Sequence, residues 1–128
     1  MKLTLTTLTF LLAFTLWAQK EPIEVAKGYQ IAIQTSALCT MCQHAIEYDL
    51  TYTKGVKQAD LNLENKMVTV VYNPDKISAD EIRRRITKVG YHADDLERDA
   101  TAYENLPFCC KDGNHGSPIP QVPTKKGN

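Results

Sequence analysis

Residues 56–90 read VKQADLNLENKMVTVVYNPDKISADEIRRRITKVG, and this stretch decides the fold. From Val56 to Leu63 the pattern alternates. Ala59, Leu61 and Leu63 face one way and Gln58, Asp60 and Asn62 the other, which is the two-residue period of a strand. Glu64-Asn65-Lys66 turns the chain. Met67 to Tyr72 is rich in β-branched residues and puts Val68, Val70 and Tyr72 on one face of a second strand. Asn73-Pro74-Asp75 ends it, because proline has no N–H to give to a ladder. Ser78-Ala79-Asp80-Glu81 has the spacing of a capping box, in which the Ser78 hydroxyl and the Glu81 carboxylate satisfy each other's backbone N–H. Ile82, Ile86 and Val89 then recur at helical spacing on one face. Gly90 is the expected left-handed stop.

Working outward, Tyr91 to Asp95 reads as a short last strand. Upstream, Tyr29, Ile31 and Ile33 alternate with Gln30, Ala32 and Gln34, which predicts a first strand. Thr35 to Leu38 forms a loop. From Met41 to Tyr52 the spacing predicts a helix, with Cys42, Ile46 and Leu50 on one side and Ala45 beside them. Gly55 ends that unit. Residues 29–95 therefore follow the order β-α-β-β-α-β. Two such halves with right-handed crossovers build a four-stranded antiparallel sheet with both helices on one face. This is the α+β, ferredoxin-like split βαβ arrangement.

The flanks carry different messages. Met1-Lys2 opens with a charge, and Leu3 to Trp17 is an uncharged, apolar run followed by Ala18 and polar sequence. That is the pattern of a secretory signal peptide over residues 1–18, cleaved after Ala18. The run falls short of the roughly 20 apolar residues of a spanning helix, so no stable membrane insertion is expected after cleavage. An uncleaved anchor is the alternative. Residues 19–28 look like a flexible polar lead-in. Residues 96–110 form an extension in which Asp99 caps a short helix and Pro107 precedes Phe108-Cys109-Cys110. Residues 111–128 hold three Gly and three Pro and almost no large apolar side chain, the composition of a disordered tail. The chain has 15 basic and 15 acidic residues and a formal net charge of zero, which argues against electrostatic binding of nucleic acid. No phosphate-cradling glycine loop and no nucleophile turn is found, so an enzyme is not expected.

The chemistry lies in four cysteines that fall as two pairs, Cys39/Cys42 and Cys109/Cys110. Outside the cytoplasm such thiols are free to oxidise. A Cys39–Cys42 bridge would close only a tiny loop, and a Cys109–Cys110 bridge would be a strained vicinal one. Bridges between the pairs stay open. Cys39-Thr40-Met41-Cys42 sits between the first strand and the first helix. Residues three apart at a helix start share a face, so both thiols converge. The orphan N–H groups and the positive end of the helix dipole favour thiolate there. Two converging thiolates suit Cu(I), Hg(II) and similar thiophilic ions over Mg or Ca, and do not complete the tetrahedron of structural Zn. The same C-x-x-C at a strand-to-helix junction is also the redox motif of thioredoxin-like proteins.

These features together resemble the heavy-metal-associated domain, the module of copper chaperones, of metal-pumping ATPase N-terminal domains and of the periplasmic mercuric-ion binding protein. The resemblance spans residues 29–95. It rests on Cys39-x-x-Cys42 after a first strand, Gly55-Val56 opening the second, Val68-Thr69-Val70-Val71-Tyr72-Asn73-Pro74, and Ile82, Ile86 and Gly90-Tyr91. It implies the split βαβ fold, metal carriage by Cys39 and Cys42, transfer to a partner by ligand exchange, and a Gly90-Tyr91 loop close to the metal. Where the family usually has Gly-Met-x before the first Cys, this chain has Ser36-Ala37-Leu38, and Met41 stands inside the motif.

Other candidates have two readings each. Cys109 and Cys110 either pack as small apolar residues or oxidise with outside thiols, or they carry metal: they fold back to raise the coordination of the first site from two towards three or four, which favours a copper cluster or Zn(II), or they form a second soft site with His115. Met41 is a gap-filler or a thioether partner. Tyr91 is a core aromatic or a shield over a bound ion. His92 is the imidazole expected nearest the loop, and His44 is a surface residue. Arg83-Arg84-Arg85 is a solvated face or a patch for an acidic partner. The reading as a whole is an exported, periplasmic, monomeric protein. It binds and transfers a soft ion, Cu(I) first and Hg(II) second, in exchange with a membrane metal transporter or another metal-binding domain. A thiol–disulfide oxidoreductase and a passive scavenger are the alternatives.

Overall fold

A computed structural model describes residues 21–112. The segment expected to be a signal peptide, the tail beyond residue 112 and His115 lie outside the described residues. The strands are β1 (Ile23–Val25), β2 (Gly28–Gln34), β3 (Val56–Asn62) and β4 (Met67–Tyr72). The helices are α1 (Thr40–Thr51), α2 (Ala79–Val89) and the short α3 (Ala100–Glu104), and a 3-10 turn follows at Phe108–Cys110. The sheet is antiparallel throughout, in the order β1-β2-β4-β3. Among the described residues no helix is long and apolar enough to cross a membrane.

Registration makes one face of the sheet apolar. Ile31 pairs with Val70, Ile33 with Val68, and Leu61 with Val68 from the other side. All of these side chains are buried, as are Ile46 and Leu50 of α1 and Ile82 and Ile86 of α2, in one continuous core. Both helices therefore cover the same face. Edge strand β3 is fastened to α1 by side chains. Glu47 accepts the Leu61 N–H at 2.7 Å, and the Gln43 side-chain amide donates to the Leu61 carbonyl at 2.9 Å. These contacts satisfy edge groups that would otherwise be open to another chain.

Helix α2 begins and ends as its residues require. The Ser78 hydroxyl accepts the Glu81 N–H at 3.2 Å, and the Glu81 carboxylate accepts the Ser78 N–H at 2.9 Å. Gly90 closes the helix at φ 112°, where a side chain is strained, and a Cβ there would stand 3.1 Å from Leu106 Cδ1. That close approach seats the C-terminal extension against the end of α2.

Two expectations are corrected. Residues 19–28 are not all flexible lead-in: Ile23–Val25 form β1, joined to β2 by a two-residue turn with Ile23 opposite Gln30 and Val25 opposite Gly28. The fourth strand of the sheet is thus N-terminal. Tyr91 to Asp95 makes no strand; it reaches the other end of the same β2 edge through the single bridge Thr35–Ala93. The edge position expected for the last strand is shared by β1 and this loop. A β-bulge between Val56 and Gln58 also offsets the start of β3.

Candidate metal centre

Cys39 is the N-cap of α1, with extended backbone, and Cys42 is fully buried one turn later. The loop before them is pinned from below. Thr35 donates to the Lys66 carbonyl through both its N–H and its hydroxyl, each at 2.9 Å, and its hydroxyl accepts the Ala37 N–H at 3.3 Å. The Ser36 hydroxyl accepts the His92 N–H at 3.0 Å. Ala37 is fully buried beneath the loop. Ser36-Ala37 thus anchors the loop directly to the segment that carries Tyr91.

That segment is itself held by Asp94. Its carboxylate accepts the Gln34 N–H at 2.9 Å and the Arg83 guanidinium at 2.8 Å, and its N–H donates to the Gln34 carbonyl at 2.9 Å. Arg83 is also paired with Asp80, and Arg85 grips Asp49 with two hydrogen bonds. Two of the three consecutive arginines are therefore engaged within the fold.

The sulfurs of both cysteine pairs meet. Cys39 Sγ lies 3.1 Å from Cys42 Sγ, 3.7 Å from Cys110 Sγ and 4.0 Å from Cys109 Sγ. The Cys39, Cys42 and Cys110 sulfurs all stand within 4.8 Å of one another. All four cysteines are free thiols. Cys109 Sγ also lies 3.5 Å from the Met41 thioether, and Met41 is half exposed.

Tyr91 closes the inner side. It is 1% exposed, and its hydroxyl has no well-formed hydrogen bond; only the thiols of Cys42 and Cys110, weak acceptors, face it. Burial pushes its phenol far above the ordinary range, and the two thiols push it further. Burial likewise pushes the Cys110 thiol up; Cys42 adds to this, while the Tyr91 hydroxyl opposes it by favouring a Cys110 thiolate. An unpartnered buried hydroxyl is costly. Here it points at sulfur, the acceptor that a metal-bound thiolate would supply.

The remaining candidates fall outside the cluster. The His92 Nδ1 accepts the Arg98 N–H at 3.2 Å, which commits that nitrogen away from the sulfurs. His44 is exposed on α1. The placement of Cys109 and Cys110 depends on α3, which sequence reasoning assigns no role at the site. Asp99 caps it by accepting the Ala102 N–H at 2.8 Å, and Arg98 stacks 3.5 Å from the Tyr103 ring centre. The Asp99 cap in the sequence was a signal of α3, not of its role.

A four-stranded antiparallel sheet under two helices, with converging thiols at the first strand-to-helix junction, defines a small domain for soft metal ions. Residues 36–92 match the family described as heavy-metal-associated domain, and the chain belongs to that family through this stretch. It is 38% identical over 72 residues to a protein named copper-exporting P-type ATPase from Staphylococcus saprophyticus, covering 52% of this chain and 9% of that one. The chain thus spans about a tenth of the length of the curated relatives it matches. Among solved structures, a CopZ metallochaperone is 32% identical, covering 50% of this chain and 97% of that one at a TM-score of 0.49. A copper binding domain from HMA7, a P-type ATPase, is 24% identical, covering 55% and 96% at a TM-score of 0.50, and shares the fold.

Proposed function

We propose that this chain binds Cu(I) as cargo and passes it on by thiolate exchange, with Cys39 and Cys42 as the ligands that receive it. The observation that carries this reading is the cluster of free thiols at the N-terminus of α1, with Cys39 and Cys42 3.1 Å apart and a third sulfur within 4.8 Å of both. Soft thiolate donors select Cu(I) among the common ions. The name shared by the matched ATPases, copper-exporting P-type ATPase, supports the same choice of metal. Hg(II) ranks second, and a cluster of more than two sulfurs also admits Zn(II).

Transfer needs no covalent catalysis. A partner thiolate attacks the bound ion, a further sulfur–metal bond forms, and one bond to this chain then breaks. The ion stays Cu(I) throughout. The receiving partner is a membrane metal transporter or another metal-binding domain, met by the monomer outside the cytoplasm after the signal peptide is removed. Mass spectrometry of the exported chain would then find Gln19 at its start.

Anaerobic titration of the reduced protein against a competing Cu(I) chelator tests the reading. The parent binds tightly, and the double variant Cys39→Ser/Cys42→Ser loses that binding. Equal affinity in both proteins would sink it. The 3.1 Å approach of Cys39 and Cys42 also favours a second reading, a thiol–disulfide oxidoreductase. Sustained reduction of insulin disulfides would be its signature.

A further inference from the structure

The two neighbouring cysteines of the extension occupy different environments. In a 3-10 turn successive side chains point about 120° apart. Cys110 therefore turns inward, 3% exposed, beside Cys42 and Tyr91, while Cys109 stays at the rim. Cys109 has two sulfur neighbours besides Cys110, namely Cys39 at 4.0 Å and Met41 at 3.5 Å. Cys39 is the shared member, within 4.0 Å of all three other cysteine sulfurs. The sulfurs thus divide into a buried triangle of Cys39, Cys42 and Cys110 and an accessible group of Cys39, Cys109 and Met41.

The extension is built to hold this arrangement. Leu106 packs against the end of α2 beside Gly90. Lys111 Nζ donates to the Glu104 carbonyl at 2.8 Å, and Arg98 pairs with Asp112 at 2.6 Å. The Asp112 N–H donates to the Tyr103 hydroxyl at 3.0 Å. These contacts lie on both sides of the 3-10 turn and fix its orientation.

We propose that Cys110 and Cys109 have separate roles: Cys110 is the third ligand of Cu(I) held between Cys39 and Cys42, and Cys109 with Met41 forms a rim station through which the ion enters and leaves. The proposal rests on the Cu(I) reading of the same site. Three thiolates about 2.3 Å from a central ion stand roughly 4 Å apart, close to the observed Cys39–Cys110 separation of 3.7 Å. A partner thiol has poor access to an ion enclosed by Cys42, Cys110 and Tyr91, all buried. At the rim it meets Cys109 and a half-exposed methionine. In the outward step Cys109 releases its proton to water as its sulfur bonds the ion. The Cys110–Cu(I) and Cys42–Cu(I) bonds then break, and Cys110 and Cys42 each take up a proton, leaving the ion on Cys39, Cys109 and the Met41 thioether. No electron moves. Partner thiolates next bond the ion as the Met41, Cys109 and Cys39 bonds break in turn, and Cys109 and Cys39 take up protons.

The test compares the parent with Cys110→Ser, Cys110→Ala and Cys109→Ser, each checked for parental circular dichroism. Cu(I) affinity is read by chelator competition, and the rate of Cu(I) loss by stopped-flow mixing with a chromogenic Cu(I) chelator. Partners in the outer shell of a metal are worth about 10–100-fold in affinity, so loss of the Cys110 ligand should lower affinity by at least about tenfold. The Ser and Ala variants at Cys110 should agree, since both remove sulfur. In Cys109→Ser the larger effect should fall on the rate, with transfer slowed several-fold and affinity changed less than in either Cys110 variant. An affinity loss in Cys109→Ser as large as in Cys110→Ser, or no slowing of transfer, would overturn the division of roles while leaving Cu(I) binding intact. A parent protein without tight Cu(I) binding would overturn both readings.

Discussion

Replacing Tyr91 by Phe separates the metal-free protein from the loaded one. The ring is 1% exposed and stays packed in either protein, so the substitution removes only a hydroxyl. In the metal-free state that hydroxyl is buried without a hydrogen bond. An unmet buried polar group costs about 1–3 kcal/mol, and the facing thiols recover part of that, leaving about 1 kcal/mol to be gained by its removal. For a domain of this size, 1 kcal/mol moves Tm by about 4–8 °C. In the loaded state proposed above, Cys42 and Cys110 become thiolates, and the hydroxyl is placed to donate to them. A hydrogen bond to a charged group is worth about 1.5–3 kcal/mol. Its loss lowers Cu(I) affinity by roughly 10–100-fold. Tyr91→Phe therefore raises the metal-free Tm and lowers the affinity. Calorimetry of the reduced apoprotein and chelator competition read the two effects. A fall in apoprotein Tm, or an unchanged affinity, would refute the idea that the hydroxyl waits for thiolate.

Three further outcomes concern the frame around the site. Ser78→Ala removes the capping box of α2 and should lower stability by about 1 kcal/mol in urea unfolding. The Glu81 carboxylate, held below its ordinary value of 4.5 by the Ser78 N–H and then the Ser78 hydroxyl, contributes stability at neutral pH that is lost as the pH falls through and below that value. Glu81→Gln should therefore flatten the acid side of the stability profile, seen as a smaller drop in urea midpoint between neutral and acid pH. Gly90→Ala forces a side chain into the left-handed region and against Leu106, at a cost of about 1–2 kcal/mol or more, and should loosen the extension enough for faster alkylation of Cys110.

Much of the fold was legible because its signals are local. The Ser78–Glu81 box, the stop at Gly90 and the alternation at Met67–Tyr72 each fix an element through neighbours a few residues away. The fourth strand was not legible. Ile23–Val25 is too short to show a period, and it exists only because the adjoining turn folds it back onto β2. Conversely, Tyr91 to Asp95 holds the place of a last strand in the element order, but the Asp94 anchors and a positive φ at Asp94 bend it into a loop. At the site, Cys39 and Cys42 declared themselves by spacing. The approach of Cys110 to Cys39 spans 71 residues and depends on α3 and Leu106 seating the 3-10 turn. No local pattern carries that information. The two readings of Tyr91, core aromatic and shield, are compatible: its ring is core and its hydroxyl faces sulfur.

The most direct test of the central claim is X-ray absorption at the copper edge of the reduced chain loaded with one Cu(I). A first shell made only of sulfur, lost when Cys39 and Cys42 are replaced by serine, is the predicted result. A shell of nitrogen or oxygen, or a sulfur shell that survives the double replacement, would contradict it.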